Sequence, residues 1–419
     1  MAMDGNTIIK AVAKERGEAK EDYDTALRNG QTAALIEHVT DDVFSISVGA
    51  LPGNKMLSTT ITYILDLMDD GTTDDVRLQI PMYVGTRHGV PPPSVTSAHQ
   101  VPPHRISISV DVYMQGAIRS IASPTHPTLA ILDDSSTIVS RSVQYLSQDF
   151  LTQDFVLCID AEGLNAPRCI AERTSTGVLA LQLNLVPKFD LPLIPSQEYI
   201  FLIDRSYSMY GSRIETAKNA LVMLLRALPS RGTHFNIFSF GRKCDSLWPA
   251  SVEYNGETLG VATQHVDGMQ ADYGPGTKIQ EALEQVFASR RHDKPVSCFL
   301  LTDGESWNFD GTTKTVSDAV AADGSCPLRV FTLGIGSTTS TEMCEGIARA
   351  GHGLCEMAVS SESIIGKCSK IVRASRTYIL KNVCVDWDIA KNANGEVTWR
   401  QAPDPVPAVI SKKKTARSS

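Results

Sequence analysis

Across residues 106–114, ISISVDVYM, apolar and polar side chains alternate without a break. Ile106, Ile108, Val110, Val112 and Met114 fall on one side, and Ser107, Ser109, Asp111 and Tyr113 on the other. That is the period of a strand with one buried face. Elsewhere the apolar positions come as short unbroken runs, at 199–203, in VSCFLL and in LRVFTLGIG. Such runs are too short for helices and suit buried strands. Between them the period lengthens. In SRIETAKNALVMLLRALP, Ile214, Ala217, Leu221, Leu224, Leu225 and Leu228 share one helical face, and Ile279, Ala282, Leu283, Val286 and Phe287 form another. Helices are also expected over 258–269, 278–289, 340–350 and 361–375, with HFNIFSFG as a further strand. Strands alternating with helices over 196–376 predict an α/β unit, a doubly wound and mainly parallel sheet with helices on both faces.

The first half reads differently. Residues 15–29, ERGEAKEDYDTALRN, are charged but place Ala19, Tyr23 and Ala26 at helical spacing, with Gly30 following as a C-terminal cap. TAALIEH, DDVFSISVGALP, LSTTITYILDL and DVRLQIPMYVG then read as strands. Residues 86–105 hold Pro91, Pro92, Pro93, Pro102 and Pro103 and read as an extended linker. His88, His99 and His104 lie there without ligand spacing. Strands near 129–132, 155–159 and 178–186 join 106–114 in a second β layer. SQDFLTQDF, at 147–155, is a near-duplication expected in a loop. Beyond Arg376, YILKNVCVDWD and GEVTWR read as strands again, and SKKKTARSS as a disordered basic tail.

The chain has 419 residues, 42 % hydrophobic and 21 % charged, with a net charge of −8. This length suggests two or three domains, and the charge gives no basis for nucleic-acid binding. No apolar run reaches membrane-spanning length. The opening MAMDGNTIIKAVAKERGEAK lacks the apolar core of a secretion signal. The nine cysteines are odd in number and scattered, with no C-x-x-C pair. They read as buried thiols rather than a disulfide frame or zinc site. No N-x-S/T sequon occurs. A cytoplasmic location is expected, with neither membrane nor nucleic acid as a partner.

The chemistry gathers where the strand at 199–203 ends. Asp204 is followed by Ser206 and Ser208, so one loop can wrap a small hard cation with a carboxylate and two hydroxyls. Open α/β sheets place their ligands at such strand ends. Thr277 stands in ADYGPGTKIQEAL ahead of a helix, and Asp303 in VSCFLLTDGES at the end of another strand. In a doubly wound sheet these two strands neighbour each other at the switch point, so Asp204 and Asp303 are expected to converge. Ser212 reads as the cap of the helix that follows.

The series Asp204, Ser206, Ser208, Thr277, Asp303 resembles the metal-ion-dependent adhesion site of von Willebrand factor type A (VWA) domains. The family pattern is D-x-S-x-S, then a Thr, then an Asp in a T-D-G turn, and the resemblance covers 196–376. Two positions depart from it. Tyr207 stands where Gly is usual, with a ring that could crowd the metal or pack over a ligand. Pro275 adds a residue to a loop that is a tighter G-G-T in relatives, and stiffens it. Upstream, GEAKEDYDTALRNGQTAALIEHVTDDVFSISVGALPG resembles the vault/inter-alpha-trypsin (VIT) domain, over residues 8–85. Together these resemble the inter-alpha-trypsin inhibitor heavy chains and intracellular VWA proteins. The resemblance implies VIT strands ahead of the present start, so a VIT-like domain over 1–91 is expected that is either N-terminally truncated or left with an unpaired sheet edge. A linker and β-rich region at 92–195, the VWA domain at 196–376, and returning strands with the tail at 377–419 complete the expected division. In some relatives the VWA domain is inserted into a β domain built from both flanks.

The resemblance further implies Mg²⁺ (or Mn²⁺) held directly by Ser206, Ser208 and Thr277. Asp204 and Asp303 would act directly or through water. Such an electron-poor ion takes a Glu or Asp from a protein partner, which makes the site a binding device and not an enzyme. Two other readings stay open. One is a structural scaffold in which the metal is incidental. The other is a Mg²⁺-dependent phosphohydrolase of the haloacid-dehalogenase type, which needs a second Asp where Ser206 stands. G-x-x-x-x-G-K-[ST], H-E-x-x-H and G-x-S-x-G are absent. The D-P-H motif by which secreted heavy chains join a glycosaminoglycan reads Asp404-Pro405-Val406 here.

Overall fold

The computed structural model describes residues 2–3, 7–8, 12, 14–40, 43–50, 57–58, 60–62, 67–69, 75–80, 106–132, 137–147, 154–164, 166–173, 175, 177–184, 191–304, 308–322, 326–337, 339–358, 364–381, 383–385, 401 and 409–410. The proline-rich linker with His88, His99 and His104, most of the duplicated stretch at 147–155, GEVTWR, Asp404–Val406 and the basic tail lie outside the described residues.

The C-terminal half is built on one sheet. Its elements are β1 (Gln197–Asp204), α1 (Ser212–Arg226), β2 (Thr233–Phe240), β3 (Cys244–Ser246), β4 (Val252–Glu253), α2 (Gly256–Asp267) and α3 (Ile279–Ser289). β5 (Val296–Thr302), α4 (Phe309–Ala321), β6 (Leu328–Ile335), α5 (Thr341–Ala350), β7 (Cys355–Ala358) and α6 (Ile365–Ser375) follow. The strand order is β3-β2-β1-β5-β6-β7, with β4 also on β2. β2, β1, β5, β6 and β7 run parallel, and β3 and β4 pair with β2 in the opposite sense. The chain leaves β1 toward β2 on one side and returns to β5 on the other. β1 and β5 therefore flank the switch point, where such sheets bind ligands.

Side-chain alternation along β1 explains the two helical layers. Tyr199, Phe201 and Ile203 pack in one cluster with Ile214, Ala217, Leu221, Leu224 and Leu225 of α1 and with buried residues of α2 and α6. Ile200 and Leu202 lie in the opposite cluster with Ile279, Leu283 and Val286 of α3 and with Val316, Val320, Met343 and Ile347. Each strand is thus buried on both faces, which is why its sequence is apolar without alternation.

α4 and β7 are absent from the expectation drawn from the sequence. FDGTTKTVSDAVA is rich in weak helix formers. α4 forms because Asn308 caps it, its side chain accepting from Gly311 N at 3.0 Å, and because Val316 and Val320 are buried on the sheet. Ser212 is not the cap of α1 but its first residue. The cap position is Gly211, with no capping side-chain bond, and the Ser212 carbonyl accepts instead from Thr216 Oγ1 at 2.9 Å.

The first half is antiparallel. A helix over Arg16–Arg28 ends at Gly30, whose N–H donates to Leu27 O at 3.0 Å while Gln31 N donates to Ala26 O at 2.9 Å. Ala33–Thr40 and Val43–Gly49 form a hairpin. LSTTITYILDL is not one strand. Leu57–Ser58 pairs with Ala2–Met3, and residues 60–62 lie outside any strand. Asp75–Ile80, Phe155–Ala161 and Ile118–Ala122 share one sheet, and Ala130–Leu132, Ser140–Ser147 and Ile106–Tyr113 another. Val112, Val143, Phe155, Leu157 and Ile159 form their common core.

The α/β unit opens and closes side by side. Leu193 bridges Thr377, and Ile194 N donates to Arg376 O at 2.9 Å. Asp154 N donates to Ser337 O at 3.0 Å, joining the β region to the loop after β6. The protein is therefore an α/β fold with a doubly wound, mainly parallel sheet, attached to a β region.

Candidate metal-ion site

β1 and β5 end side by side, with Ile203 in register with Leu301, and the next residues carry the polar groups. Asp204 is wholly buried and Asp303 is 1 % exposed. Asp204 Oδ1 accepts the Ser206 N–H at 2.9 Å, and Oδ2 accepts the Thr302 hydroxyl at 2.6 Å. Gly304 N donates to that same Thr302 hydroxyl oxygen at 2.9 Å, so Thr302 is oriented from both sides.

The loop beyond Asp204 turns at Tyr207–Met209, where Met209 N donates to Ser206 O at 3.1 Å. Met209 is buried and anchors the turn in the core. The turn sets the Ser206 and Ser208 hydroxyls 2.9 Å apart. Tyr207, between them, is 58 % exposed, and its backbone N–H donates to Gly274 O at 3.2 Å.

That Gly274 bond ties the serine loop to the loop carrying Thr277. A further tie is Tyr273 N to Arg205 O at 3.0 Å, and Lys278 N to Gly241 O at 3.2 Å fastens the Thr277 loop to the end of β2. The Arg205 side chain completes the latch. Nε donates to Gln270 O at 2.8 Å and Nη2 to Asp272 Oδ1 at 2.7 Å. Its guanidinium lies 4.2 Å from the Tyr273 ring centroid, and Lys243 Nζ is 4.4 Å from the same centroid. Gly274 and Gly276, on either side of Pro275, adopt left-handed backbone (φ 85° and 93°), which lets the stiff Pro275 sit in a tight turn. Thr277 is 8 % exposed.

Four of the five expected residues, Asp204, Ser206, Ser208 and Asp303, are thus joined by direct hydrogen bonds or through one shared arginine. Thr277 is joined to them by the backbone bonds between the two loops. The arginine is Arg213, whose Nη1 donates to Ser208 O at 2.8 Å and to Asp303 Oδ2 at 3.0 Å. Neither Arg213 nor Thr302 was picked out from the sequence. Arg213 did carry a signal, since a cation in the first turn of a helix opposes the helix dipole and calls for a local partner. Thr302 carried none beyond its place in the T-D-G turn.

Burial holds the Asp204 carboxyl up at about 7, with the nearby Asp303 charge adding to the effect, while hydrogen bonds from Thr302 and Ser206 oppose it. Two buried carboxylates, one of them paired with Arg213, and a pair of hydroxyls form an all-oxygen donor set, which fits a small hard divalent cation. Among the described residues no group of three or more His, Cys, Asp or Glu side chains is placed to hold a metal. No helix of the described residues is long and apolar enough to cross a membrane.

Residues 197–357 match the family model of the von Willebrand factor type A domain, and residues 1–63 that of the vault protein inter-alpha-trypsin domain. The second match stops short of the 8–85 expected from the sequence. The chain is 27 % identical over 392 residues to a von Willebrand factor A domain-containing protein of Dictyostelium discoideum, covering 92 % of this chain and 39 % of that protein. It is 28 % identical over 422 residues to von Willebrand factor A domain-containing protein 5A of Homo sapiens, covering 92 % and 52 %. The chain spans about half or less of the length of these curated relatives. Among solved structures, a von Willebrand factor type A protein from Catenulispora acidiphila is 16 % identical, with a TM-score of 0.38, covering 47 % of this chain and 45 % of that one.

Proposed function

We propose, for a chain that carries a vault protein inter-alpha-trypsin domain and a von Willebrand factor type A domain, that the α/β unit at 196–376 is a metal-dependent protein-binding module. Asp204, Ser206, Ser208, Thr277 and Asp303 would hold Mg²⁺ or Mn²⁺. The bound ion supplies a positive centre that an exposed Asp or Glu of a protein partner can ligate.

One observation carries this reading. The two strands that flank the switch point end in buried carboxylates beside two hydroxyls 2.9 Å apart. The protein's own groups prepare that centre. Asp204 spends its hydrogen bonds on Ser206 N and Thr302, which favours contact with the ion through water. The serine hydroxyls are left to face the ion directly. A metal that depends mainly on neutral oxygens stays short of negative charge and favours an anionic ligand.

The site is better suited to binding than to turnover. Both oxygens of the Asp204 carboxyl, the group held nearest the range of a general base, are engaged by Ser206 N and the Thr302 hydroxyl. Ser206 stands where a phosphohydrolase of the haloacid-dehalogenase type needs its second Asp. A reducing, cytoplasmic setting fits the free thiols, of which Cys298, Cys344 and Cys368 are buried.

The test is calorimetric titration of the full chain with MgCl₂ and MnCl₂, alongside Asp204→Ala and Asp303→Ala. Saturable binding by the native protein, lost in both variants while they keep the native circular dichroism spectrum, is the expected result. Equal binding by either variant would show that the ligand set is wrong.

A further inference from the structure

Arg213 is the second residue of α1 and reaches back over the serine loop. Its Nη1 lies 3.0 Å from Asp303 Oδ2, and its side chain is 23 % exposed against 1 % for the Asp303 carboxylate. The fold makes room for it. At Gly336, just after β6, an added Cβ would come within 2.9 Å of Arg213 Nε. The guanidinium is therefore held between the backbone at Gly336, the Ser208 carbonyl and the buried Asp303 carboxylate, and is not a loose surface charge.

We infer that Arg213 is a resident cation of this site, which weakens the hold of the site on a metal alone and strengthens the hold of the metal-loaded site on an anionic ligand. This rests on the metal-binding reading above.

A charge count gives the direction. Two ionised carboxylates balance a divalent cation and leave the centre neutral. The charge of the guanidinium leaves it one unit positive. A cation entering beside a guanidinium meets like charge in a poorly screened setting, so its affinity drops. A carboxylate arriving from a partner meets the same extra charge with the opposite sign. Metal and acidic ligand then each raise the other's affinity, a reciprocal coupling between two ligands. A site of this kind is loosely metallated when alone and tightens when the partner's acid is in place. Arg213 is a positioning and specificity residue in this scheme, because it acts on the metal and its ligand through charge.

The test uses the full chain in three forms: native, Arg213→Gln and Arg213→Lys. Each is titrated with MgCl₂ and with MnCl₂, alone and in excess acetate as the minimal carboxylate. Arg213→Gln should bind Mg²⁺ about tenfold tighter than the native chain, the size expected of one like charge removed from a partly buried site. Arg213→Lys, which keeps the charge, should stay within about threefold of the native chain by the same reasoning. Acetate should tighten Mg²⁺ binding by the native and Lys forms more than by the Gln form. Melting curves in EDTA check that all three are folded. Unchanged or weaker Mg²⁺ binding by Arg213→Gln, with native binding intact, overturns the inference alone. Loss of binding in both variants overturns it too, and makes Arg213 a support for the Ser208 carbonyl. If no form binds either ion, the metal-binding reading itself fails, and this inference with it.

Discussion

Thr302 and Asp204 end neighbouring parallel strands, and the Thr302 hydroxyl donates to Asp204 Oδ2 at 2.6 Å while accepting from Gly304 N at 2.9 Å. One side chain thereby fixes the carboxylate on β1 to the turn that carries Asp303. Replacing it with valine keeps the shape and removes both bonds. Thr302→Val should lower the free energy of unfolding by about 1–3 kcal/mol, since a buried carboxylate and a buried N–H each lose a partner. It should also weaken Mg²⁺ binding, because Asp204 is then free to turn. Urea melts and metal titration measure the two effects. A variant with native stability would show that the relay contributes nothing.

The raised Asp204 carboxyl predicts a pH dependence with a definite sign. Its folded pKa, about 7, lies above the ordinary value of 3.8 that the unfolded chain retains, so the folded state binds the proton more strongly. The stabilisation from protonating it is complete below about 3.8 and is lost as pH rises through about 7. Metal-free protein in EDTA should therefore gain stability from pH 8 toward pH 4, relative to Asp204→Asn under the same conditions. Metal binding should run the other way, weakening as pH falls through 7, since the proton and the cation compete for one carboxylate. Thermal melts of the two proteins across that range test the first part, and titrations at pH 6 and 8 the second. Parallel curves for native and Asn forms would rule out Asp204 as the titrating group.

Arg205 belongs to the D-x-S-x-S string but turns away from the serines to clasp Gln270, Asp272 and Tyr273. Its loss should free the Thr277 loop more than the sheet. Arg205→Met, which keeps much of the apolar stem, should cost about 1–3 kcal/mol for the charge-assisted bonds. It should also speed hydrogen exchange in residues 270–278 and leave β1 and β5 protected. Mg²⁺ binding should weaken as Thr277 loses its place. Uniform exchange over the whole unit would mean that Arg205 supports the fold generally and not this loop.

Much of the α/β unit was legible because each layer of it writes a period into the chain. The unbroken runs at β1, β5 and β6 and the helical faces of α1 and α3 follow directly from burial on one side or both. α4 was not legible. Its Thr-rich segment has no preference of its own for helix, and it is held by the Asn308 cap and the sheet beneath it. LSTTITYILDL failed in the opposite direction. Its β-branched residues favour strand, yet a ladder needs a partner, and residues 60–62 lie outside any strand.

The sequence by itself determined which residues bear the oxygens and that two of them would sit at strand ends, because side-chain type and local period are properties of neighbours in the chain. It also pointed to buried thiols, which holds for Cys298, Cys344 and Cys368, whereas Cys169 and Cys384 are exposed. Only the tertiary structure decided what surrounds those oxygens. The Arg213 guanidinium beside Asp303 and the Thr302 relay depend on contacts between segments as many as 98 residues apart. Charge and hydrogen bonding act through space, and no local pattern encodes which distant strand or helix will bring a partner within 3 Å.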